Sequence, residues 1–152
     1  MHIGIDLDET LIELSFNGYD WKFKDGAIHY VNLLSQQGHL LHIITARTGT
    51  IDNREQVEQI AQSLEREGIK IQDVTYTMGN SKGRFAKDLQ CICMIDDYSL
   101  YMTDCMENNV KPILFCDITS TDRYPGWRVA RTWSEIYAHV LSLEEQILLS
   151  ME

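Results

Sequence analysis

Apolar runs of strand length alternate along this chain with segments in which apolar residues recur at helical spacing. The runs indicate buried strands, and each helical segment connects one strand to the next. This alternation predicts an α/β fold in which helices cover a parallel sheet. The five predicted strands are His2 to Asp6, Leu40 to Thr45, Asp73 to Thr77, Cys91 to Ile95 and Pro112 to Cys116.

Two long helices show an apolar stripe and end signals. The first ends at Gly38, a residue type that favours a left-handed cap. The second begins with a capping box of Asp52 and Glu55 and ends at Gly68. Their stripes consist of Ala27, Ile28, Val31 and Leu34, and of Val57, Ile60, Ala61 and Leu64.

Three further helices are predicted in the second half of the chain. Two short ones run from Ser81 to Leu89 and from Tyr98 to Asn108, each linking two strands. A short extended piece around Arg128 to Thr132 then precedes a last helix, for which Ser134 is the predicted N-cap.

Residues 11–24 interrupt the alternation of strand and helix. The pair Asn17 and Gly18 is flanked on both sides by alternating apolar residues, which is a strong signal for a β-hairpin. Ligands of open α/β sheets bind beyond the carboxyl ends of the strands, so this hairpin would project beside such a site. It is either a flap over the site or an ornament at the edge of the fold.

Length and composition predict one domain over residues 1–152, since 44% of the residues are hydrophobic and can form a core. The formal charge of −10 argues against attraction to nucleic-acid backbones or anionic membranes. No apolar run approaches the roughly 20 residues of a membrane span, so a soluble cytoplasmic protein is expected. Free structural thiols are favoured over disulfides or zinc ligands, because no C-x-x-C pair occurs among Cys91, Cys93, Cys105 and Cys116.

Two carboxylates, Asp6 and Asp8, stand two residues apart where the first apolar strand ends. Side chains alternate between the faces of a strand, so both acids would share one face if the chain stayed extended. They would then repel each other unless a cation lies between them or one holds a proton, and both arrangements occur in catalysis. A strand followed by a solvated acidic turn is the structural alternative.

Other strand ends add polar groups to the same edge of the sheet. The second strand ends in the run Thr45 to Arg47, and the fourth ends in Asp96 and Asp97. Lys82 lies near the start of a helix, where free N–H groups favour an anion. Hard cations such as Mg²⁺ prefer oxygen ligands, whereas Thr, Lys and a helix N-terminus bind phosphate oxygens. Together these residues indicate phosphoryl transfer.

This set of residues resembles the motifs of the haloacid dehalogenase superfamily of phosphohydrolases. Its D-x-D-x-T motif is similar to Asp6 to Thr10, its strand-end Thr or Ser to Thr45, its lysine to Lys82, and its paired acids to Asp96 and Asp97. Four motifs in order, over essentially the whole chain, are far more specific than one. The resemblance implies a Rossmann-like fold with a five-stranded parallel sheet in the order 5-4-1-2-3, a hairpin flap after strand 1, and no cap domain.

The resemblance also implies roles for these residues. Asp6 would attack phosphorus and form an aspartyl-phosphate, while Asp8 would protonate the leaving oxygen and later activate water. The presence of an acid at Asp8 favours a phosphatase over a dehalogenase. Mg²⁺ would be the cofactor. Its ligands would be the carboxylates of Asp6, Asp96 and Asp97 together with the backbone carbonyl of Asp8. Phosphate binding would fall to Thr45, Ala46, Arg47 and Lys82.

Two basic residues have alternative assignments. Lys87 competes with Lys82 for the role of phosphate lysine, although Lys87 falls on the exposed face of its predicted helix. Arg47 either binds the substrate or forms an ion pair with Asp52 or Glu55.

The gaps between the motifs are too short for a cap of domain size, so the site is expected to be open. Water would then be excluded from it either by a bulky substrate or by a partner subunit, such as a second copy of the chain. A small phosphorylated substrate is expected, because the layout, including the segment Thr132 to Ile136, resembles small nucleotidases of the 5′(3′)-deoxyribonucleotidase type. The run Arg47 to Thr50 is also similar to polynucleotide 3′-phosphatase domains, but the charge of −10 argues against that function. A catalytically idle binding module is the third alternative, and it would have no use for Asp8.

Overall fold

The computed structural model describes residues 1–116 and 126–152. Its strands are β1 (His2–Ile5), β2 (Ile12–Leu14), β3 (Trp21–Phe23), β4 (Leu40–Thr45), β5 (Ile71–Tyr76), β6 (Cys91–Asp96), β7 (Lys111–Phe115) and β8 (Arg128–Ala130). Its helices are α1 (Ala27–Gln36), α2 (Ile51–Arg66), α3 (Gly83–Asp88), α4 (Ser99–Glu107) and α5 (Trp133–Ser150). The predicted α/β fold is therefore confirmed.

The main sheet is parallel and has the strand order β5-β4-β1-β6-β7-β8. The five strands predicted from the sequence occur in the expected arrangement, but the predicted count of five is wrong. The sixth strand, β8, forms within the extended piece predicted around residues 128–132 and pairs with the edge of β7 through Leu114 and Val129. This strand is only three residues long, which explains why its apolar pattern gave no strand signal of its own.

Neighbouring residues of the central strands face opposite sides of the sheet and enter two separate hydrophobic clusters. Ile43 packs with α1, α2 and α5, whereas Ile44 packs with α3 and α4. Met94 and Ile95 divide in the same way. The fold is therefore a three-layer sandwich, whose inner strands are apolar on both faces, as parallel sheets require. Burial of its strands on both faces leaves their carboxyl ends as the place where polar side chains can gather.

The predicted hairpin is present, since β2 and β3 pair antiparallel with Ile12 opposite Phe23. Its connection is longer than the two-residue turn that Asn17 and Gly18 indicated: it is closed by a bond from Ser15 N to the Asp20 carbonyl at 2.7 Å. The Asn17 side chain instead accepts bonds from the backbone N–H groups of Tyr19 and Asp20 at 2.8 and 3.0 Å. Asn17 therefore stabilises the loop through its side chain, as Asn does in Asx turns.

The two predicted N-caps are wrong by two residues. Helix α2 begins after Thr50, whose hydroxyl accepts from the backbone N–H of Asn53, so the capping box does not begin at Asp52. Helix α5 begins after Thr132 rather than Ser134. In both cases a threonine in extended conformation stands directly before the first helical residue, and such a residue competes well with Asp or Ser for the cap.

The four cysteines are free, as predicted, and Cys91, Cys93 and Cys105 are buried in the core. Burial raises the pKa of the Cys93 thiol to about 12, which makes it inert as a nucleophile. Among the described residues, none of the helices has an apolar stretch that could reach across a lipid bilayer.

Candidate active site

The carboxyl ends of the three adjacent strands β4, β1 and β6 present the polar residues of the candidate site. Asp6 follows β1 directly and continues its pairing, since its backbone N–H donates to the Ile95 carbonyl at 2.9 Å. Thr45 and Asp96 are the last residues of β4 and β6, and both are fully buried. Because these three strands are neighbours, the predicted convergence of Asp6, Thr45 and Asp96 at one edge of the sheet is observed.

Three carboxylates form a compact acidic cluster at this edge. Asp6, Asp96 and Asp97 each offer an oxygen, and these oxygens all lie within 4.8 Å of one another. The hydroxyl of Thr10 donates to Asp6 Oδ2 at 3.0 Å and lies 3.4 Å from Asp97 Oδ1. Thr10 is missing from the predicted site residues, although it is the last residue of the D-x-D-x-T motif and could have been included on that ground.

Lys82 is the only cation that the structure places between these carboxylates among residues 1–116 and 126–152. Its Nζ lies 2.5 Å from Asp6 Oδ1 and 2.9 Å from Asp96 Oδ2, and its side chain is 1% exposed. Lys82 is the residue before the first turn of α3, and its Nζ also lies 5.0 Å from the centre of the Tyr101 ring. Lys87, the competing lysine, is exposed near the end of the same helix.

Burial and the closeness of the three acids shift the pKa values of the groups in the cluster. Burial, followed by the charge of Asp96, raises the pKa of Asp6 to about 7 in spite of Lys82. Burial and then the contact with Asp6 raise the pKa of Asp97 to about 6. Burial by itself lowers the pKa of Lys82, but the charges of Asp6 and Asp96 outweigh it and leave that pKa above its ordinary value.

A divalent cation fits this donor set. Three carboxylates with oxygens this close repel one another, and a single lysine does not neutralise them. A hard ion such as Mg²⁺ takes carboxylate oxygens as ligands and would relieve the repulsion that, after burial, raises the pKa values of Asp6 and Asp97. Asp6, Asp96 and Asp97 could therefore hold such an ion, and their roles as metal ligands stay predictions.

The side chain of Asp8 is not part of the acidic cluster and is paired with Arg47 instead. It accepts two bonds from Arg47, from Nε to Oδ2 at 2.9 Å and from Nη2 to Oδ1 at 2.7 Å. The expected repulsive pair of Asp6 and Asp8 is thus replaced by two separate arrangements, because β1 ends at Ile5 and the chain does not stay extended. The alternative pairing of Arg47 with acids of α2 is wrong: the partner of Arg47 on α2 is Gln56.

The remaining predicted phosphate ligands lie at the end of β4. The Thr45 hydroxyl accepts a bond from the backbone N–H of Arg47 at 3.2 Å. The carbonyl of Ala46 accepts from the backbone N–H of Gly79 at 2.9 Å, which joins this loop to the one after β5. Both residues are placed at the rim where a phosphoryl group would lie, and their roles in binding it stay predictions.

A cavity of about 580 Å³ adjoins the acidic cluster at Asp97. Sequence reasoning missed this cavity, because its walls come from distant parts of the chain. They include hairpin residues on one side and the ends of β7 and β8 on the other. The lining residues are Glu9, Glu13, Lys24, Asp25, Asp97, Phe115, Cys116, Arg131 and Thr132.

Several solved structures with similar folds are phosphatases. One is D,D-heptose 1,7-bisphosphate phosphatase from B. bronchiseptica, complexed with magnesium and phosphate. The match covers 93% of this chain and 98% of the phosphatase, with a TM-score of 0.72 and 12% identity. Another is the cobalt-bound deoxy-D-mannose-octulosonate 8-phosphate phosphatase from Haemophilus influenzae. The match covers 95% of this chain and 88% of the phosphatase, with a TM-score of 0.62 and 15% identity. The match to a haloacid dehalogenase superfamily hydrolase from Ehrlichia chaffeensis covers 93% of this chain and 96% of the hydrolase, with a TM-score of 0.67 and 10% identity.

No family model matches the sequence, and no curated protein matches it either. The likeness therefore lies in the fold, which this chain shares with these solved enzymes.

Proposed function

We propose that this chain is a Mg²⁺-dependent phosphomonoester hydrolase that works through an aspartyl-phosphate on Asp6. The observation that carries the proposal is the cluster of Asp6, Asp96 and Asp97 around one point, with Lys82 bonded to two of them. The phosphatases among the solved structures of the same fold support it. Within the cluster, Mg²⁺ would be held by these three acids and would neutralise charge on the incoming phosphate.

In the first step, an oxygen of Asp6 attacks phosphorus and the bond from phosphorus to the ester oxygen breaks. Asp8 donates a proton to the leaving oxygen. In the second step, water attacks the phosphoryl group on Asp6 and Asp8 takes up the proton of that water. Inorganic phosphate leaves and the carboxylate of Asp6 is restored. Lys82 and Thr45 donate to the phosphoryl oxygens, on which charge accumulates in both steps.

We further propose that the substrate is a nucleotide or a phosphate ester of similar size. The cavity of about 580 Å³ beside Asp97 supports this, since sites for small molecules commonly measure about 300–1,000 Å³. One wall carries the apolar ring of Phe115 and another the hydroxyl of Thr132, whereas Lys24 in the lining is paired with Glu9 and Glu13. This mixture of apolar and polar groups suits the organic part of a phosphate ester better than a bare phosphate ion.

The test is the release of phosphate from p-nitrophenyl phosphate with Mg²⁺ and with EDTA. We expect hydrolysis only with the metal, and its loss by at least about 10²-fold in Asp6→Asn. Asp88→Asn, which removes an exposed acid at the end of α3, is the matched control and retains activity. A wild-type protein that hydrolyses none of a panel of phosphate esters, or an Asp6→Asn variant of full activity, contradicts the proposal.

A panel of mononucleotides, sugar phosphates and 3′-phosphorylated oligonucleotides then addresses the substrate. A value of kcat/KM that is highest for the mononucleotides supports the proposed substrate class. Preference for the oligonucleotides would instead identify a polynucleotide phosphatase.

A further inference from the structure

The pairing of Arg47 with Asp8 is the tightest contact of the candidate acid–base residue. Two nitrogens of the guanidinium donate to the two oxygens of the same carboxylate, at 2.9 and 2.7 Å. The Arg47 side chain is only 10% exposed, whereas Asp8 keeps 35% of its side-chain surface open. A bidentate pair of this kind fixes the plane and the direction of the carboxylate, while Asp8 stays accessible from the site.

Arg47 is itself held in place by neighbours on two other elements. Its backbone N–H donates to the Thr45 hydroxyl, and Nη1 donates to the side-chain carbonyl of Gln56 on α2. The amide nitrogen of Gln56 in turn donates to the backbone carbonyl of Tyr19 in the hairpin loop, at 2.8 Å. A continuous series of contacts thus runs from the hairpin through α2 to Asp8.

All three guanidinium nitrogens of Arg47 donate to protein partners in this arrangement. An arginine that binds a phosphoryl group directly presents two of these nitrogens to the phosphate oxygens. In Arg47 the same two nitrogens are occupied by Asp8. The geometry is therefore that of a residue that orients another protein side chain rather than one that waits for a substrate.

We propose that Arg47 is the positioning residue of Asp8: it aims the Asp8 carboxylate at the leaving oxygen and acts on the reaction only through Asp8. This inference rests on the proposed phosphatase function. Proton transfer needs the carboxylate within hydrogen-bond distance of the reacting oxygen, and small misplacements of a catalytic group reduce rates strongly. Without Arg47, the partly exposed side chain of Asp8 is free to rotate away from that direction.

A double-mutant cycle with Asp8 tests this inference, because it separates action through Asp8 from action on the substrate. We expect Arg47→Gln to lower kcat for p-nitrophenyl phosphate by about tenfold or more, which is about 1.4 kcal/mol, with little change in KM. In the Asp8→Asn background, the same substitution changes the residual kcat by less than about twofold. Equal effects in both backgrounds overturn the inference.

Two control variants distinguish positioning from a loss of charge or of structure. Arg54→Gln removes another arginine close by, one that contacts the Tyr76 ring and the Gly49 carbonyl, and leaves kcat unchanged. Arg47→Lys keeps the charge but loses the bidentate geometry, so it restores only part of kcat. Complete rescue by lysine would mean that charge alone matters and would contradict the inference.

Competitive inhibition by inorganic phosphate provides a second measurement, because the inhibition constant reports binding of the phosphoryl group and not proton transfer to a leaving group. If Arg47 acts through Asp8, the inhibition constant for phosphate changes by less than about threefold in Arg47→Gln. A rise of tenfold or more, about 1.4 kcal/mol of binding, would show that Arg47 binds the phosphoryl group itself and would overturn the inference. Absence of hydrolysis in the wild-type protein contradicts the proposed function, whereas an active wild type with equal effects in the cycle contradicts the role of Arg47 alone.

Discussion

Lys82 is the residue on which the charge balance of the acidic cluster depends. It is bonded to Asp6 and Asp96 and is almost fully buried, a position that a lysine tolerates only when its charge is paired. Because the charges of Asp6 and Asp96 keep its pKa above the ordinary value, Lys82 stays protonated at neutral pH and has hydrogen-bond donors for a phosphoryl group. It therefore serves both the folded protein and the proposed chemistry.

We predict that Lys82→Ala abolishes measurable turnover of p-nitrophenyl phosphate and weakens the binding of inorganic phosphate, as measured by calorimetric titration. The reason is that Asp6 and Asp96 lose the lysine that is paired with both of them, and the phosphoryl group loses a charged hydrogen-bond donor. Lys87→Ala, which truncates an exposed lysine of the same helix, is the control and leaves both values near those of the wild type. The opposite ranking would assign the phosphate lysine to Lys87.

Asp8 is the second residue whose substitution separates binding from chemistry. Its side chain contacts Arg47 and lies outside the cluster of Asp6, Asp96 and Asp97. We predict that Asp8→Asn still binds Mg²⁺ and inorganic phosphate but loses at least about 10²-fold in kcat, which is the usual contribution of a general acid–base group. Calorimetric titration with each ion and steady-state kinetics measure the two effects. Full activity in this variant would refute the acid–base role.

At the scale of elements, the close contact between α3 and α4 positions Lys82. The backbone N–H of Gly83, the first residue of α3, donates to Asp104 Oδ2 on α4 at 2.5 Å. A Cβ atom added to Gly83 would lie 2.4–2.6 Å from the Asp104 carboxylate and backbone. Only glycine permits this approach, so the start of α3 and the adjacent Lys82 depend on it.

We predict that Gly83→Ala lowers the free energy of unfolding by about 1–3 kcal/mol, the usual range for overpacking, and also lowers kcat because Lys82 is displaced. Gly49→Ala is the matched control: its Cβ would meet the end of the flexible Arg54 side chain, which can move aside. Urea denaturation and p-nitrophenyl phosphate kinetics of both variants measure the difference. Equal stability of the two variants would show that the contact between α3 and α4 is not a constraint.

At the scale of the whole molecule, negative charge is the dominant feature. The formal charge is −10, and the three clustered acids concentrate part of it at one buried edge of the sheet. Such a field opposes the approach of an anionic substrate unless a metal ion reverses the local potential. Burial, followed by the repulsion from Asp96, raises the pKa of Asp6 to about 7 and makes folding without metal depend on pH.

We predict that metal-free wild-type protein loses stability relative to Asp6→Asn as the pH rises from about 4 to about 7. The folded-state pKa of Asp6, about 7, lies above the ordinary value of 3.8, so over this range the folded state binds more protons than the unfolded state. Its unfolding free energy therefore falls with rising pH. Asp97, with a pKa of about 6, contributes in the same direction in the wild type, and it contributes less in Asp6→Asn because part of that rise comes from Asp6.

Thermal unfolding of both proteins in EDTA across this pH range provides the measurement. Asp6→Asn is expected to be the more stable protein at pH 8, and the difference should shrink toward pH 4, where Asp6 is protonated. Saturating Mg²⁺ at pH 8 should raise the wild-type melting temperature more than that of Asp6→Asn, because Asp6 is a proposed ligand. A difference that does not vary with pH would contradict the assignment of the raised pKa to Asp6.

The sheet and the position of the acidic cluster could be predicted because they depend on regular patterns. Apolar runs located the strands, and parallel strands necessarily bring their carboxyl ends to one edge, which placed Asp6, Thr45 and Asp96 together. The predicted N-caps Asp52 and Ser134 failed because several polar residues near each helix start can serve as caps. The choice among them depends on the exact backbone conformation of the loop.

Patterns of apolar and polar residues along the chain were thus sufficient for the α/β layers, the hairpin and the edge that carries the candidate chemistry, since each arises from short-range periodicity and chain direction. Folding added the pairing of Asp8 with Arg47, the bridge from Thr10 to Asp6 and Asp97, and the cavity beside them. These depend on loop conformations and on side chains that are distant in sequence. Which of several possible partners a charged group contacts is settled by distance and burial in three dimensions, and neither quantity can be obtained from spacing along the chain.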